Sequence, residues 1–439
     1  MIHPLTPDTA ISHPRNTRFW LLAIFASAFV LRLLATIMFE GLHEGPSWRG
    51  FGADGVEFNA IAANLVQFGE YAIDPHHPTS FRAPGLPFAL AGIYALFGAN
   101  NFVAAHLLLC LIGALLPIAV YLLAREVTGT AIALVAAGLT AIYPNLAYYA
   151  IHFSSEPLFT LLLVTALWLF LKAIKRQASS LPVLTHYGLS GLLFGLAALT
   201  RPQGFYLALV LALAGFWLGR REWKSALRGQ ILFLLMLVLP ILPWAARNYN
   251  VHGQLVLFAT NGGSTFWGSN NAIVLNDPIH RGGWVTTNLM PEEKAKVMES
   301  PNEAVRDQLE WAYGKAFLAS HIRDIPRLSW YKLKTFWTPF CGTPNRKFNL
   351  IVGLSYGLLI PFMVAGYWLM IRFRGMFSME IILLSLPIII TILITLAFYG
   401  LTRFRSTIEP ILLIFAAEAV VSVFRRFFNS RHLPRMTLT

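Results

Sequence analysis

The chain has 439 residues, 56% of them hydrophobic and 13% charged, with a mean hydropathy of +0.58. Soluble domains carry nearer a quarter charged residues, so this composition excludes a soluble globular protein and defines an integral membrane protein. The formal charge of +13 does not mark a nucleic-acid binder, because 16 of the 34 Lys and Arg fall in segments placed on the cytoplasmic side by the topology below, with attraction to anionic lipid as a by-product.

Residues 1–18 are polar, carry Arg15 and Arg18, and read as a cytoplasmic tail. The apolar run 19–39, interrupted by Arg32, is long for a signal-peptide core and lacks a small-residue cleavage site, so it reads as a retained anchor. The polar stretch 42–87 follows, containing Asp54, Glu57, Tyr71 and Arg82. A loop of that length between spans is expected to have a function. Residues 84–98 form a short apolar piece, too short to span, and read as a re-entrant or interfacial helix. Further spans are expected near 101–124, 130–148, 154–174, 185–200, 203–219, 229–247, 349–371, 379–399 and 407–424, giving ten with the first. The expected organisation is a membrane core over 19–247 including the loop 42–87, an outer loop domain over 248–348, terminal spans over 349–424, and a basic cytoplasmic tail over 425–439.

With the N-terminus inside, the loops holding Arg125, then Lys172, Lys175 and Arg176, then Arg220, Arg221, Lys224 and Arg228, then Arg372 and Arg374 all fall inside, as does the tail with Arg425, Arg426, Arg431 and Arg435. The stretch 42–87, the turns near His152 and Arg201, the segment 248–348 and the turn 400–406 fall outside. This distribution obeys the positive-inside rule. Within 248–348, the spacing of Val305, Leu309, Ala312, Ala316 and Phe317 predicts a helix over 302–321. Arg327, Lys332 and Lys334, interleaved with Trp330, Tyr331, Phe336 and Trp337, are expected to lie in the headgroup layer. Two cysteines, Cys110 in an apolar run and Cys341 in a loop, define neither a disulfide framework nor a metal cluster.

Four groups of residues carry possible chemistry. Asp54 and Glu57 fit a capping box, with Phe58, Ile61 and Leu65 as the apolar stripe behind them. They equally fit a carboxylate pair at the mouth of a membrane cavity, where one accepts a proton from an attacking hydroxyl. Glu156, in Ser154-Ser155-Glu156-Pro157, suits the positive end of a helix dipole or an acidic cavity at the same level as Asp54. Arg82, Arg201, Arg403 and Arg405 sit at outer boundaries, where they either snorkel and cap helix ends or grip a phosphate at two points. Arg32 and Glu418, inside spans, have to face the bundle interior or a wet cavity. In the Gly/Asn-rich run 261–271, Trp267, like Trp284 further on, offers a ring for a sugar face or serves as loop packing. The run has no nucleotide-loop Lys-Ser/Thr.

These residues, taken in order, resemble the C-type membrane glycosyltransferases, in particular the protein-mannosyltransferase and lipid A aminoarabinose-transferase group. The resemblance is carried by Gly52-Ala53-Asp54-Gly55-Val56-Glu57-Phe58, Gly69-Glu70-Tyr71 and Arg82-Ala83-Pro84-Gly85-Leu86-Pro87 in the first outer loop. It continues through Ser155-Glu156, Thr200-Arg201-Pro202-Gln203-Gly204, Pro243-Trp244-Ala245-Ala246-Arg247-Asn248-Tyr249, Asn261-Gly262-Gly263 with Gly268-Ser269-Asn270-Asn271, and Arg403-Phe404-Arg405 with Glu409-Pro410. The resemblance implies an all-helical membrane bundle with outer-face juxtamembrane helices and an outer loop domain. It implies a sugar donor on a polyprenyl phosphate, transferred with inversion to a hydroxyl of a lipid, polysaccharide or protein. By motif, Asp54 is the expected catalytic base, Glu57 and Glu156 complete an acidic cavity, and Arg82, Arg201, Arg403 and Arg405 contact the donor phosphate. Tyr71, Asn261 and Trp267 are assigned sugar or acceptor contacts. The sequence departs from some members in having Asp54-Gly55 in place of an adjacent Asp-Glu pair. No obligatory cofactor is expected, although Asp54, Glu57 and Glu156 could together hold a divalent ion. A bacterial inner membrane is the expected location, with the site facing outward. Two other classes use a similar site: a transporter or flippase of lipid-linked sugars would leave the sugar–phosphate bond intact, and a scaffold would tolerate Asp54→Asn. Polymerases and ligases of lipid-linked glycans share the donor type.

Overall fold

The computed structural model describes residues 14–46, 53–176, 181–340 and 346–429. Residues 1–13 of the N-terminal tail, Gly52 of the first motif, Cys341, and the tail residues Arg431 and Arg435 lie outside the described residues. Each expected span is helical, since a backbone in hydrocarbon has to satisfy its own N–H and C=O groups. In chain order the helices are α1 (Pro14–Phe39), α2 (Ala53–Phe68), α3 (Gly85–Phe97), α4 (Phe102–Val127), α5 (Thr130–Ile142), α6 (Pro144–Ile151), α7 (Glu156–Arg176), α8 (Leu181–Thr200), α9 (Gln203–Leu218), α10 (Trp223–Val238) and α11 (Ile241–His252). The outer segment adds α12 (Gly262–Gly268), α13 (Ala272–Asn276), α14 (Pro291–Met298), α15 (Glu303–Ser320) and α16 (Ile325–Trp337). The chain returns through α17 (Arg346–Arg374), α18 (Met379–Ala397), the short α19 (Thr402–Ser406) and α20 (Glu409–Asn429). Among the described residues the only strand-like pairing is a single bridge between Ala72 and Pro78.

By length and composition, seven helical segments among the described residues can cross a membrane, or eight when the bent pair α5–α6 is taken as one span. The ten expected spans are therefore not all of one kind. The pair α5–α6 bends by 51°, where Pro144 opens α6 at a position that tolerates its missing N–H. Helix α9 has 16 residues, short of the roughly 20 that a straight span needs. Helix α20 carries Glu409, Glu418 and Arg425 among its 21 residues. The apolar piece expected near 84–98 is α3, 13 residues long, packed on α2 and α4.

Helix α4 sits at the centre, packed against α1, α5, α6 and α7. Helix α7 leads on to α8 and α8 to α10, while α20 joins α17 to α5. One buried apolar cluster runs through these helices. Where helices meet most closely, glycine is required: a Cβ on Gly366 of α17 would lie 1.7 Å from the Phe415 carbonyl oxygen of α20. Membrane helices, lacking a strong hydrophobic drive toward each other, rely on such close backbone contact.

Loops expected on the same side of the membrane lie together. Lys175, at the end of α7, and Arg374, at the end of α17, both pair with Glu380 of α18, at 3.0 and 3.9 Å. At the opposite end gather α2, α3, the start of α7, the end of α8, α19 and the outer loop domain. That domain has its own small core of Trp267, Val274, Leu275, Val285 and Leu328. The helix expected over 302–321 is α15, started by Asn302, whose side chain accepts from the N–H groups of Ala304 and Val305. Helix α16 corrects one expectation. Trp330 is 64% exposed, as a headgroup residue should be, but Lys332 is 1% exposed and points into the protein.

Candidate active site

Helix α2 begins at Ala53, so Asp54 and Glu57 fall three residues apart on its first turns and share a face. Both Asp54 oxygens are taken by arginine: Oδ1 accepts from Arg82 Nη2 at 2.6 Å and Oδ2 from Arg403 Nη1 at 2.6 Å. Glu57 accepts from Arg82 Nε at 2.5 Å. Arg82 therefore spans both carboxylates of α2, with its guanidinium also over the rings of Phe58 and Phe81.

Glu156 opens α7 and is 1% exposed. Its Oε1 accepts from Arg201 Nη1 at 2.6 Å and from Arg403 Nε, and its Oε2 accepts from Arg403 Nη2 at 3.2 Å. Arg201 also donates to the Ser155 hydroxyl at 3.1 Å. Arg403, on α19, is thus the bridge between Asp54 and Glu156. The outcome is one interlocked cluster of three carboxylates and three guanidinium groups, drawn from α2, the loop before α3, the start of α7, the residue after α8, and α19. Beneath it a cavity of about 10 Å³, room for roughly one water, is lined by Arg32, Tyr149, Glu156, Thr160 and Ser406. Arg32 faces the bundle interior as expected: its Nη1 donates to the carbonyls of Ala28 and Ala141, each at 3.0 Å.

Local packing explains the convergence. A Cβ on Gly85 would lie 2.2 Å from Thr200 Oγ1, so the Ala83-Pro84-Gly85 turn presses against the end of α8 and sets Arg82 beside Arg201. Tyr71 is buried; its hydroxyl donates to the Arg82 carbonyl at 2.8 Å, and its ring packs edge-on against Trp244 and Phe88. It supports the loop rather than offering a free face to a sugar. Ser80, two residues before Arg82, is held by Arg247, Asn248 and His252 of α11 and by Glu303 of α15.

Burial disfavours the Asp54 carboxylate, but Arg403 and Arg82 outweigh it and hold the group down to about 2. Burial raises Glu57 above the ordinary carboxylate range, against the pull of Arg82. Arg403 is raised well above its ordinary value, because Glu156 and Asp54 more than offset its desolvation.

Other expected site residues lie elsewhere. Arg405 points away from the cluster and is fully buried. Its Nε donates to Glu409 at 2.9 Å, its Nη1 to the carbonyls of Phe336 and Thr338, and its guanidinium stacks 3.7 Å from the Tyr356 ring centroid. Side chains two apart on one helical turn face different ways, which is why Arg403 and Arg405 part company. Trp267, 3% exposed, packs on Tyr313 within the outer domain, and its ring has no open face for a sugar. Asn261 precedes α12 and uses its backbone carbonyl to accept from the hydroxyls of Ser264 and Thr265. Among the described residues no three His, Cys, Asp or Glu side chains are grouped so as to hold a metal, and all three cluster carboxylates are committed to arginine.

This architecture, an all-helical bundle with a charged cluster at one end beside the segment 248–340, is the one expected from the resemblance to the C-type membrane glycosyltransferases. Residues 76–245 match the family model described as dolichyl-phosphate-mannose-protein mannosyltransferase. That segment contains Arg82, Glu156 and Arg201; Asp54 and Arg403 fall outside it. The chain is similar in structure to the archaeal oligosaccharyltransferase AglB from Archaeoglobus fulgidus, solved with an inhibitory peptide and a dolichol-phosphate, at TM-score 0.57 and 18% identity over 96% of this chain and 53% of that one. A structure of the Archaeoglobus fulgidus oligosaccharyltransferase with Zn and sulfate matches at TM-score 0.54 and 17% identity, over 92% of this chain and 50% of that one. The chain thus spans about half the length of the archaeal enzyme. ArnT from Cupriavidus metallidurans, bound to undecaprenyl phosphate, matches at TM-score 0.46 and 14% identity, over 95% of this chain and 81% of that one. No curated protein matches the chain in sequence.

Proposed function

We propose that this protein is an inverting glycosyltransferase that moves a sugar from a polyprenyl-phosphate donor to an acceptor hydroxyl at the outer face of a bacterial inner membrane. The observation that carries the reading is the closed cluster of Asp54, Glu57 and Glu156 with Arg82, Arg201 and Arg403, which gathers residues from five separate segments.

The chemistry follows from the parts. An alcohol has a pKa far above 7 and needs a base as it attacks. Asp54 takes the acceptor proton while the acceptor oxygen bonds to the anomeric carbon from the face opposite the phosphate. The bond from that carbon to the phosphate oxygen breaks with its electron pair, and the polyprenyl phosphate leaves with one more negative charge. Arginines in a water-poor site stabilise that charge, and their planar forks suit a phosphate. At rest the cluster is self-neutralised, three charges against three, and Asp54 at about 2 is a poor base. An incoming phosphate competes for Arg82, Arg201 and Arg403; each guanidinium drawn to it leaves a carboxylate less stabilised and more basic. Donor binding and activation of the base are then one event. The scheme runs without a metal ion, since Arg82, Arg201 and Arg403 supply the positive charge that the leaving phosphate needs.

The test compares lipid extracts of cells making the wild type with cells making Asp54→Asn at equal folded levels, by mass spectrometry of polyprenyl-phosphate sugars and glycosylated products. The variant is expected to accumulate one lipid-phosphate sugar and to lose one glycosylated product. Matching profiles with the product retained would overturn the assignment of Asp54 as base.

A further inference from the structure

Lys332 is a buried charged side chain in a stretch whose composition points to the headgroup layer. Its Nζ donates to Asn270 Oδ1 at 2.8 Å, to the Leu396 carbonyl at 3.1 Å and to the Ala397 carbonyl at 3.4 Å. Asn270 Nδ2 donates to the same Ala397 carbonyl at 3.0 Å and is itself anchored on the Phe266 carbonyl at 2.8 Å. Leu396 and Ala397 are the last residues of α18, whose final carbonyls lack partners within the helix. A lysine near a helix C-terminus satisfies such carbonyls and meets the negative end of the dipole, and here it does so from another part of the chain.

The residues just beyond the end of α18 are gripped at further points. Phe398 lies edge-on to Phe266 and Trp311, at 5.8 and 5.7 Å between centroids. The Gly400 N–H donates to the Gly282 carbonyl at 2.8 Å. A Cβ on Gly400 would fall 1.9 Å from the Lys332 carbonyl oxygen, and Gly282, at φ +71°, lies so close to Tyr331 that its own Cβ would fall 2.4 Å from the Tyr331 carbonyl carbon. Helix α19 begins two residues after Gly400 and carries Arg403. Helix α16 packs on both α18 and α19.

Among the described residues no carboxylate is within ion-pair distance of Lys332, and burial pulls its ammonium down to about 7. An unpaired buried cation is costly to keep, which makes it a poor choice for mere filling. Methionine would occupy the same space without that cost.

We propose that Lys332 and Asn270 are positioning residues for Arg403: they clamp the end of α18 to the outer loop domain and so set where α19 presents Arg403 to Asp54 and Glu156. The outer loop domain thereby helps to build the cluster although it contributes no member to it. This role rests on the function proposed above only for its kinetic readout.

The first measurement is amide hydrogen exchange in the full chain, wild type against Lys332→Met. Faster exchange is expected over 398–406, with no change over 76–84, which is held separately by Glu303 and Arg247. Unchanged exchange over 398–406 would overturn the clamp, and so would a rise that extends equally to 76–84, since it would mean general loosening of the outer domain. This readout stands whether or not the protein transfers a sugar. The second is a double-mutant cycle on formation of the product identified by the Asp54→Asn comparison. Lys332→Met alone is expected to lower the rate at least tenfold, but less than twofold further in an Arg403→Lys background. Losses that multiply would show that Lys332 acts elsewhere. Asn270→Asp supplies a second variant if Lys332→Met fails to fold. It keeps an acceptor for Lys332, now a charged one, and removes the Nδ2 donations to Ala397 and to Phe266, so it is expected to raise exchange over 398–406 while remaining folded; exchange equal to wild type would count against the proposal.

Discussion

Arg403→Lys keeps the charge and removes the fork. Arg403 uses Nη1 on Asp54 and both Nε and Nη2 on Glu156. A lysine ammonium is a compact point charge that can reach one carboxylate or the other, so about two of three charge-assisted bonds are lost. At roughly 1.5–3 kcal/mol each, the gross loss is about 3–6 kcal/mol. Water reaches the site, since the Arg403 side chain is 15% exposed, and halving the figure for that screening leaves about 1.5–3 kcal/mol. If this energy serves to hold Asp54 and Glu156 in register during transfer, the rate falls by roughly 10- to 150-fold. The assay is initial rate of product formation in detergent or nanodiscs, with thermal unfolding measured on the same samples. A variant that transfers within about threefold of wild type would refute the bridging role. So would one that is clearly less stable while its rate per folded molecule is unchanged.

Two other consequences follow. Gly366→Ala forces a methyl into the contact with the Phe415 carbonyl, so α17 and α20 have to separate; a loss of at least about 1–3 kcal/mol is expected, read as a lowered unfolding temperature. In the outer loop domain, burial raises the Asp307 carboxyl to about 6 and that of Glu310 to about 7. Both groups hold their protons more tightly folded than unfolded, so their contribution is full below about pH 4 and is lost as the pH rises through 6 to 7. Asp307→Asn, which can still accept from the Gly263 N–H, is expected to match wild type near pH 4 and to be more stable at pH 8, by up to about 3 kcal/mol. Equal unfolding temperatures at pH 8 would count against it.

Much of the cluster is legible in the sequence, because its members are charged residues at predicted outer boundaries, where charge is conspicuous. Asp54, Arg82, Glu156, Arg201 and Arg403 come from five separate segments, yet the topology alone puts all five at one level of the membrane. What the sequence does not disclose is direction. Arg403 and Arg405 look alike as a pair, and only the turn of α19 separates a cluster residue from a buried partner of Glu409. Nor can periodicity tell a snorkelling lysine from an inward one: Lys332 stands among basic and aromatic neighbours, and its burial depends on contacts with Asn270 and Ala397, far away in the chain. The supports of the loop, Glu303, Arg247 and His252, escape a sequence reading for the same reason, although Arg247 stands within one of the motifs that carry the family resemblance. Spans show themselves as apolar runs, whereas the bend between α5 and α6 turns on a single proline.

Arg32 also bears on how the protein is made. Helix α1 leaves the ribosome before α5, with a guanidinium about two-thirds of the way along it; at the centre of a span such a group costs roughly 2.5–3.5 kcal/mol to insert alone. One of the two carbonyls that receive this group belongs to Ala141, 109 residues later. Until α5 has been synthesised and has docked, α1 is a strained guest in the bilayer, free to tilt or slide so that its charge reaches the headgroups. Assembly of the bundle therefore has a built-in order, in which α1 is threaded first and seated late. A substitution on α5 that never touches the charged cluster can then act on yield, through the fate of a helix inserted long before.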